Sequence, residues 1–314
     1  MPLRIIFGAA FAALASLCAA TPSHAQSYSE GNFYVGETPY QMYVEYRFPA
    51  KPTHDTPIIL IHGASHTGVG YVQTPDGRDG WAIMLVRAGW KVYTVDWPGH
   101  GRSPMPADFP AMSMQKVIDA GNALVDKIGG RVVLLTHSMS GPIGWKLAEA
   151  HPDKIAAVVG IAPGGPGNDM PPPDAKWLAI LGPVTGQARR APKEYARKLF
   201  ANSEMFPKEA FDNYYASLVP ESERITSERF NRDNLGRVID VDLTKLTMPI
   251  MVMTGDQDTL HPKADDEKLA KQLKADFMFL PDLGMPGHGH MQMLERGNEK
   301  IAAVFMEWLG KHGL

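Results

Sequence analysis

The sequence has almost no cysteine, because its 314 residues include only Cys18. Cys18 lies in an N-terminal segment that we predict to be removed, so the mature chain is expected to form no disulfide and to use no thiol nucleophile. A chain without disulfides depends on a buried apolar core. The hydrophobic residues, which make up 44% of the sequence, are sufficient to form one.

The sequence also lacks a large excess of charge, since its formal net charge is −3 at pH 7. This balance provides no basic surface for nucleic acid, so we expect no nucleic-acid partner. The apolar run at residues 5–20 is shorter than the roughly 20 apolar residues that a membrane-spanning helix needs. We therefore expect no stable membrane insertion, while the sequence gives no indication of the oligomeric state.

Residues 1–25 have the layout of a cleavable secretory signal. Arg4 precedes the apolar run, and Ser23-His24-Ala25 forms a small-x-small cleavage site. We predict cleavage after Ala25 and a secreted or periplasmic protein. An uncleaved N-terminal anchor is the alternative interpretation.

Short apolar runs alternate with helical patterns through the remaining chain, which is typical of a mostly parallel sheet with helices on both faces. The first two runs alternate apolar and polar residues and predict an antiparallel edge hairpin. We thus expect an α/β fold with eight strands. The predicted strands cover residues 32–35, 40–48, 57–61, 91–96, 131–136, 155–161, 250–254 and 277–280, and the main helices cover 81–88, 114–128, 141–150, 264–273 and 301–309.

Residues 163–246 interrupt this alternation, because they contain no clear buried strand. They are rich in proline at first, then in charged and aromatic residues. A disordered linker would be poor in aromatic residues. We therefore predict that 163–246 form a helical cap over one end of the sheet, with the core domain formed by residues 26–162 and 247–314.

The first candidate for catalysis is Ser138, which stands between the predicted strand 131–136 and the following helix. A serine on such a tight strand-to-helix turn presents its hydroxyl to the cleft above the sheet. The usual pattern is G-x-S-x-G, but here Thr136 and Ser140 occupy the glycine positions. The alternative interpretation is a serine that only caps the helix.

The second candidate segment is His62-Gly63-Ala64, directly after the strand 57–61. A backbone amide at this place can stabilise the negative charge that develops on a carbonyl oxygen. We assign one oxyanion donor to the N–H of Ala64 and the other to the N–H of Met139.

The third candidate segments supply an acid and then a histidine, which is the chain order expected after a nucleophilic serine in this type of fold. We select Asp258 as the acid, with Asp256 as the alternative. We select His290 over His288 as the general base, because His290 directly precedes residues 291–295, which are predicted to form a helix. A histidine with an ordinary pKa of about 6.5 suits this role.

No pattern in the sequence indicates a metal or a cofactor. His288 and His290 have no third ligand at a recognisable spacing, and no glycine-rich phosphate loop is present. We expect neither a metal nor a cofactor.

Together these segments resemble the α/β-hydrolase superfamily, over most of residues 57–161 and 248–310. The loop Asp96-Trp97-Pro98-Gly99-His100-Gly101-Arg102-Ser103 is similar to the loop that follows the fourth strand in that superfamily. A closer similarity is to a small branch of secreted bacterial serine esterases, the Alcaligenes-type esterases. The residues that carry it are Thr74-Pro75-Asp76-Gly77-Arg78, Gly80-Trp81, His137-Ser138, Ser140-Gly141 and Gly289-His290-Met291.

The resemblance implies a serine hydrolase that cleaves a small-molecule carboxylic ester through an acyl-enzyme. Some members of this branch take the acid from just after strand six, where this chain has Ala162-Pro163-Gly164 and no carboxylate. We expect Trp97, His62 and Ser65 to line the substrate pocket. The alternatives are hydrolysis of a lactone, thioester, amide or C–C bond by the same triad, or a ligand-binding homologue without catalysis.

Overall fold

The computed structural model describes residues 27–168 and 170–314, so the predicted signal segment 1–25 lies outside the described residues. Eight strands form one sheet in the order β1-β2-β4-β3-β5-β6-β7-β8. The strands are β1 (Tyr28–Val35), β2 (Met42–Pro49), β3 (Ile58–Ile61), β4 (Val92–Asp96), β5 (Val132–His137), β6 (Ile155–Ile161), β7 (Ile250–Thr254) and β8 (Asp276–Phe279).

The pairing confirms a mostly parallel eight-stranded sheet. β1 and β2 form an antiparallel pair, and β2 is also antiparallel to β4. All other neighbouring strands, from β4 through β3 to β8, run parallel. The carboxyl ends of the parallel strands therefore meet at one edge of the sheet, which is where ligands bind in open sheets of this kind.

Helices cover both faces of the sheet. Val132 and Leu134 of β5 join the apolar cluster packed on one face, whereas Val133 and Leu135 join the cluster on the other, as the period of two requires. The α-helices are α1 (Val69–Val72), α2 (Trp81–Arg87), α3 (Met114–Ile128), α4 (Gly141–Ala150), α5 (Ala175–Leu181), α6 (Lys193–Tyr195), α7 (Phe211–Ser217), α8 (Glu223–Arg229), α9 (Lys263–Leu273) and α10 (Asn298–Lys311).

The chain between β6 and β7 contains α5 to α8 and several short helical turns, with no strand of the sheet. It is attached to the core through the buried carboxylate of Glu228. That carboxylate accepts hydrogen bonds from the Ser113 hydroxyl and from the Met114 N–H, at the first turn of α3. A charged acceptor at a helix N-terminus is favourable, so this contact fixes α8 against the core. Within the described part of the chain, no helix has the length and apolarity needed to cross a membrane.

Candidate active site

Ser138 lies on the sharp turn between β5 and α4. The turn Ser138–Ser140 is a 3₁₀ helix that leads directly into α4, and Ser138 has a φ of +54°. This left-handed conformation is unfavourable for residues other than glycine, and it persists where the surrounding structure enforces it. The turn directs the Ser138 side chain to the carboxyl edge of the sheet.

The two residues that replace the usual glycines of this turn are each accommodated in a different way. The Ser140 hydroxyl donates to the Ile61 carbonyl at 2.9 Å and accepts from the His137 N–H at 2.7 Å, so it joins the ends of β3 and β5. Thr136 fits because it faces Gly144 of α4. A Cβ atom at residue 144 would lie 2.5 Å from the Thr136 methyl group. The space that a glycine at residue 136 would normally provide is therefore provided by Gly144 of α4.

The structure brings Ser138, His290 and Asp258 together. The Ser138 hydroxyl lies 3.0 Å from Nε2 of His290, and Nδ1 of His290 lies 2.8 Å from Oδ2 of Asp258. The side chains of His290 and Asp258 are 1% and 0% exposed, so water does not compete for their hydrogen bond. A serine hydroxyl, an imidazole and a buried carboxylate thus form one hydrogen-bonded chain, which is the geometry that base-assisted attack by a serine requires.

The surroundings of Asp258 keep its carboxylate ionised. Burial alone would raise its pKa, but the positive charge and hydrogen bond that His290 can supply lower the pKa of Asp258 to about 2. Its other oxygen accepts the N–H groups of Leu260 and His261 at 2.9 and 3.0 Å. The alternative acid, Asp256, instead accepts the Gly287 N–H at 2.8 Å and does not contact His290.

A second buried carboxylate, Glu295, holds the loop that carries His290. It accepts hydrogen bonds from Nδ1 of His288 at 2.8 Å, from the Gly289 N–H at 3.0 Å and from the Ser203 hydroxyl at 2.6 Å. The helix predicted for residues 291–295 was wrong, because this segment forms turns. The apolar residues of this segment have helical spacing, and this spacing gave no indication of the role of Glu295. The turns allow the Glu295 carboxylate to reach back to Gly289.

The loop after β3 passes directly beside Ser138. A Cβ atom at Gly63 would lie 3.0 Å from the Cβ of Ser138, so the loop approaches closely because residue 63 is glycine. The Ala64 N–H has no hydrogen-bond acceptor among residues 27–168 and 170–314. Met139 is the second residue of the 3₁₀ turn, where backbone N–H groups also lack partners within the helix. Ala64, Met139 and Ser138 all line one cavity.

This cavity has a volume of about 270 Å³ and lies between Ser138 and the segment 163–246. Ser65 lines it, whereas Trp97 and His62, which were also expected to line the substrate pocket, do not. Trp97 is buried in the core, and its ring stacks on that of His62 at 4.7 Å. Nε2 of His62 accepts the Trp97 N–H, so both residues support the loops beneath the site.

The apolar wall of the cavity comes mainly from the inserted segment, whose fold the sequence did not specify. No side chain of α5 is buried in the core. Its residues Trp177, Ile180 and Leu181 line the cavity, together with Tyr195 and Phe200. In the part of the chain that the structure describes, no three histidine, cysteine or acidic side chains are grouped so that they could hold a metal ion.

A family model described as "Alpha/beta hydrolase family" matches residues 58–304. The chain belongs to this family. The probable secreted lipase phiG of a fungal species is 26% identical in an alignment that covers 89% of this chain and 89% of the relative. The pimeloyl-(acyl-carrier protein) methyl ester esterase of Neisseria meningitidis is 24% identical and covers 71% of this chain and 83% of the relative.

Several solved structures of esterases are also similar to this chain in fold. A novel bacterial esterase solved at atomic resolution superposes with a TM-score of 0.61 at 20% identity, over 94% of this chain and 99% of the other. A thermophilic esterase from Thermogutta terrifontis superposes with a TM-score of 0.62 at 19% identity, over 90% and 99% of the two chains. These similarities confirm the predicted α/β-hydrolase fold.

The contact between Thr136 and Gly144 yields a prediction about stability. Gly144→Ala should lower the free energy of unfolding by about 1–3 kcal/mol, because the new methyl group overlaps the Thr136 methyl. Adding Thr136→Ser removes that methyl and should restore part of the loss. Urea unfolding measures the free energy of unfolding of the single and the double variant.

The matched control is Gly310→Ala in α10, where an added Cβ would meet no atom within 4 Å. This exposed helical site should gain up to about 1 kcal/mol from the better helix propensity of alanine. Equal behaviour of Gly144→Ala and Gly310→Ala would contradict the steric explanation.

Proposed function

We propose that this protein is a serine hydrolase that cleaves a carboxylic ester through a covalent acyl-enzyme. The observation that carries the proposal is the continuous hydrogen-bonded chain from the Ser138 hydroxyl through His290 to Asp258. Two relatives whose names describe a lipase and a methyl ester esterase support the choice of an ester bond.

The triad activates the serine because an unassisted hydroxyl is a weak nucleophile at neutral pH. Oγ of Ser138 attacks the ester carbonyl carbon while its proton passes to Nε2 of His290. The imidazolium so formed is stabilised by the ionised Asp258. His290 then returns the proton to the departing alkoxide, and a water molecule repeats the sequence to release the acid and restore Ser138.

The negative charge on the carbonyl oxygen is stabilised by the N–H groups of Ala64 and Met139 in this proposal. Both are backbone groups that are positioned before the reaction, and one such donor contributes roughly 10²–10³ in rate. The N-terminal end of α4 lies at the same turn and adds a favourable dipole.

We also propose that residues 163–246 act as the cap of the active site and that residues 26–162 and 247–314 form the catalytic core. The cap residues that line the cavity above Ser138 support this division. Export after cleavage at Ala25 agrees with the description of one relative as secreted. The proposed partner is a small-molecule ester, which reacts without a cofactor.

Ser138→Ala should reduce kcat for a p-nitrophenyl ester by at least about 10⁴-fold, because no other group replaces the nucleophile. The measurement is the release of p-nitrophenolate, with the urea midpoint as a check that the variant is folded. Activity close to that of the unmodified protein would exclude Ser138 as nucleophile.

Asp258→Asn should lower kcat by about 10²–10⁴-fold, because the amide no longer fixes the tautomer of His290 or stabilises its positive charge. The matched control is Asp256→Asn, two residues away, which removes a carboxylate that contacts only the Gly287 N–H. We expect this control to retain activity within about tenfold. A larger loss in Asp256→Asn than in Asp258→Asn would reverse the assignment of the acid.

A further inference from the structure

The cavity above Ser138 contains a guanidinium group that forms no ion pair with the residues that the structure describes. Arg229 is the last residue of α8, and its side chain lines the cavity together with Ser138. Among residues 27–168 and 170–314 it makes no hydrogen bond and no ion pair, although it lies 5.4 Å from the centre of the Phe230 ring. Burial lowers the pKa of Arg229 to about 10, so the group is still charged at neutral pH.

The other arginines that line the cavity differ from Arg229 because each is already engaged. Arg189 forms an ion pair with Glu223 at 2.7 Å. Arg232 donates to the Gly182 carbonyl at 2.7 Å, and Arg190 donates to the Tyr215 carbonyl. Arg229 therefore has its hydrogen-bonding capacity available to a molecule in the cavity.

The two glutamates that line the cavity are also occupied. Of the two lining glutamates, Glu221 accepts the Ser65 N–H at 2.9 Å, and Glu223 accepts from Arg189. Asp266 is the nearby carboxylate whose charge raises the pKa of Arg229. Its Oδ1 lies 3.1 Å from Nδ1 of His261, and its buried Oδ2 has no hydrogen-bond partner among the described residues. Asp266 nevertheless forms no ion pair with Arg229. Four arginines against two glutamates make the cavity wall positive, although the whole chain is negative.

Arg229 lies close to the reacting serine because Gly164 has no side chain. A Cβ atom at residue 164 would lie 2.5 Å from Nε of Arg229 and 2.7 Å from its Nη2. The N–H of Gly164 in turn donates to the Ser138 carbonyl at 2.7 Å. Ser138 and Arg229 line the same cavity, so a substrate that fills this cavity from Ser138 can contact the guanidinium. Arg229 is partly buried, so its unpaired charge is less well solvated than in open water, and a ligand of opposite charge offsets that loss.

We propose that Arg229 binds a free carboxylate of the substrate, so that the preferred substrate is an ester that carries a second, ionised carboxyl group. This inference rests on the proposed function and specifies its substrate class. The planar guanidinium can hold a carboxylate through two parallel hydrogen bonds, which gives both affinity and orientation.

The test compares matched anionic and neutral esters, with the uncatalysed rate subtracted. The acyl pair is the mono-p-nitrophenyl ester of suberic acid and p-nitrophenyl octanoate. The alcohol pair is 4-carboxyphenyl butyrate and 4-carbamoylphenyl butyrate. We expect kcat/KM for the anionic member to exceed that of its neutral partner in at least one pair. Arg229→Gln should reduce this ratio at least tenfold, and Arg229→Lys should retain more of it.

The matched control is Arg237→Gln, which removes a positive charge from the same insertion at a side chain that is 88% exposed and outside this cavity. Its anionic-to-neutral ratio should stay within twofold of the starting value. If Arg229→Gln lowers the rates of the anionic and neutral esters equally, or if neither pair shows an anionic preference, the proposal is overturned and Arg229 is structural.

A binding measurement separates failure of this inference from failure of the proposed function. Suberate should bind to the folded Ser138→Ala variant and change the fluorescence of Trp177, which lines the cavity. Adding Arg229→Gln should weaken this binding at least tenfold. Suberate binding that is unchanged by Arg229→Gln contradicts the role of Arg229. Suberate binding by a protein that hydrolyses no ester, neutral or anionic, contradicts the proposed esterase function but not the role of Arg229.

Discussion

The close approach of β5, α4 and the loop after β3 is the constraint on which the rest of the site depends. Ser138 has a left-handed backbone because β5 must turn into α4 within three residues. Thr136 can face α4 only because residue 144 has no side chain, and the loop after β3 can pass Ser138 only because residue 63 has none. The position of Ser138 thus depends on close packing at residues 63 and 144.

Two buried carboxylates then hold the His290 ring and its loop against this turn. Asp258 has a pKa of about 2 and therefore stays charged beside His290 throughout the neutral range. Glu295 fixes the preceding residues of the same loop through His288 and Gly289. Because neither carboxylate is open to solvent, water does not compete for their hydrogen bonds. One carboxylate orients the His290 ring and the other orients the backbone that carries it.

The sequence was most informative where one pattern determines one structure. Continuous apolar runs predicted the parallel strands, because buried strands have no polar face, and the turns after those strands indicated where Ser138, Asp258 and His290 would lie. The residues of the substrate pocket were harder to predict from the sequence. Trp97 follows β4 as a pocket residue would, but tertiary packing turns its ring into the core against His62. Arg229 stands out only because the neighbouring arginines are paired with other groups. These pairs form in the tertiary structure, so no local sequence pattern predicts them.

The most direct test of a nucleophilic Ser138 is covalent labelling by a fluorophosphonate, followed by mass spectrometry of the digested protein. The account predicts one adduct on the peptide that contains Ser138, and loss of that adduct in His290→Ala, because the hydroxyl is then no longer deprotonated during attack. No adduct on the folded protein, or an adduct on another serine while Ser138 stays unmodified, would contradict it.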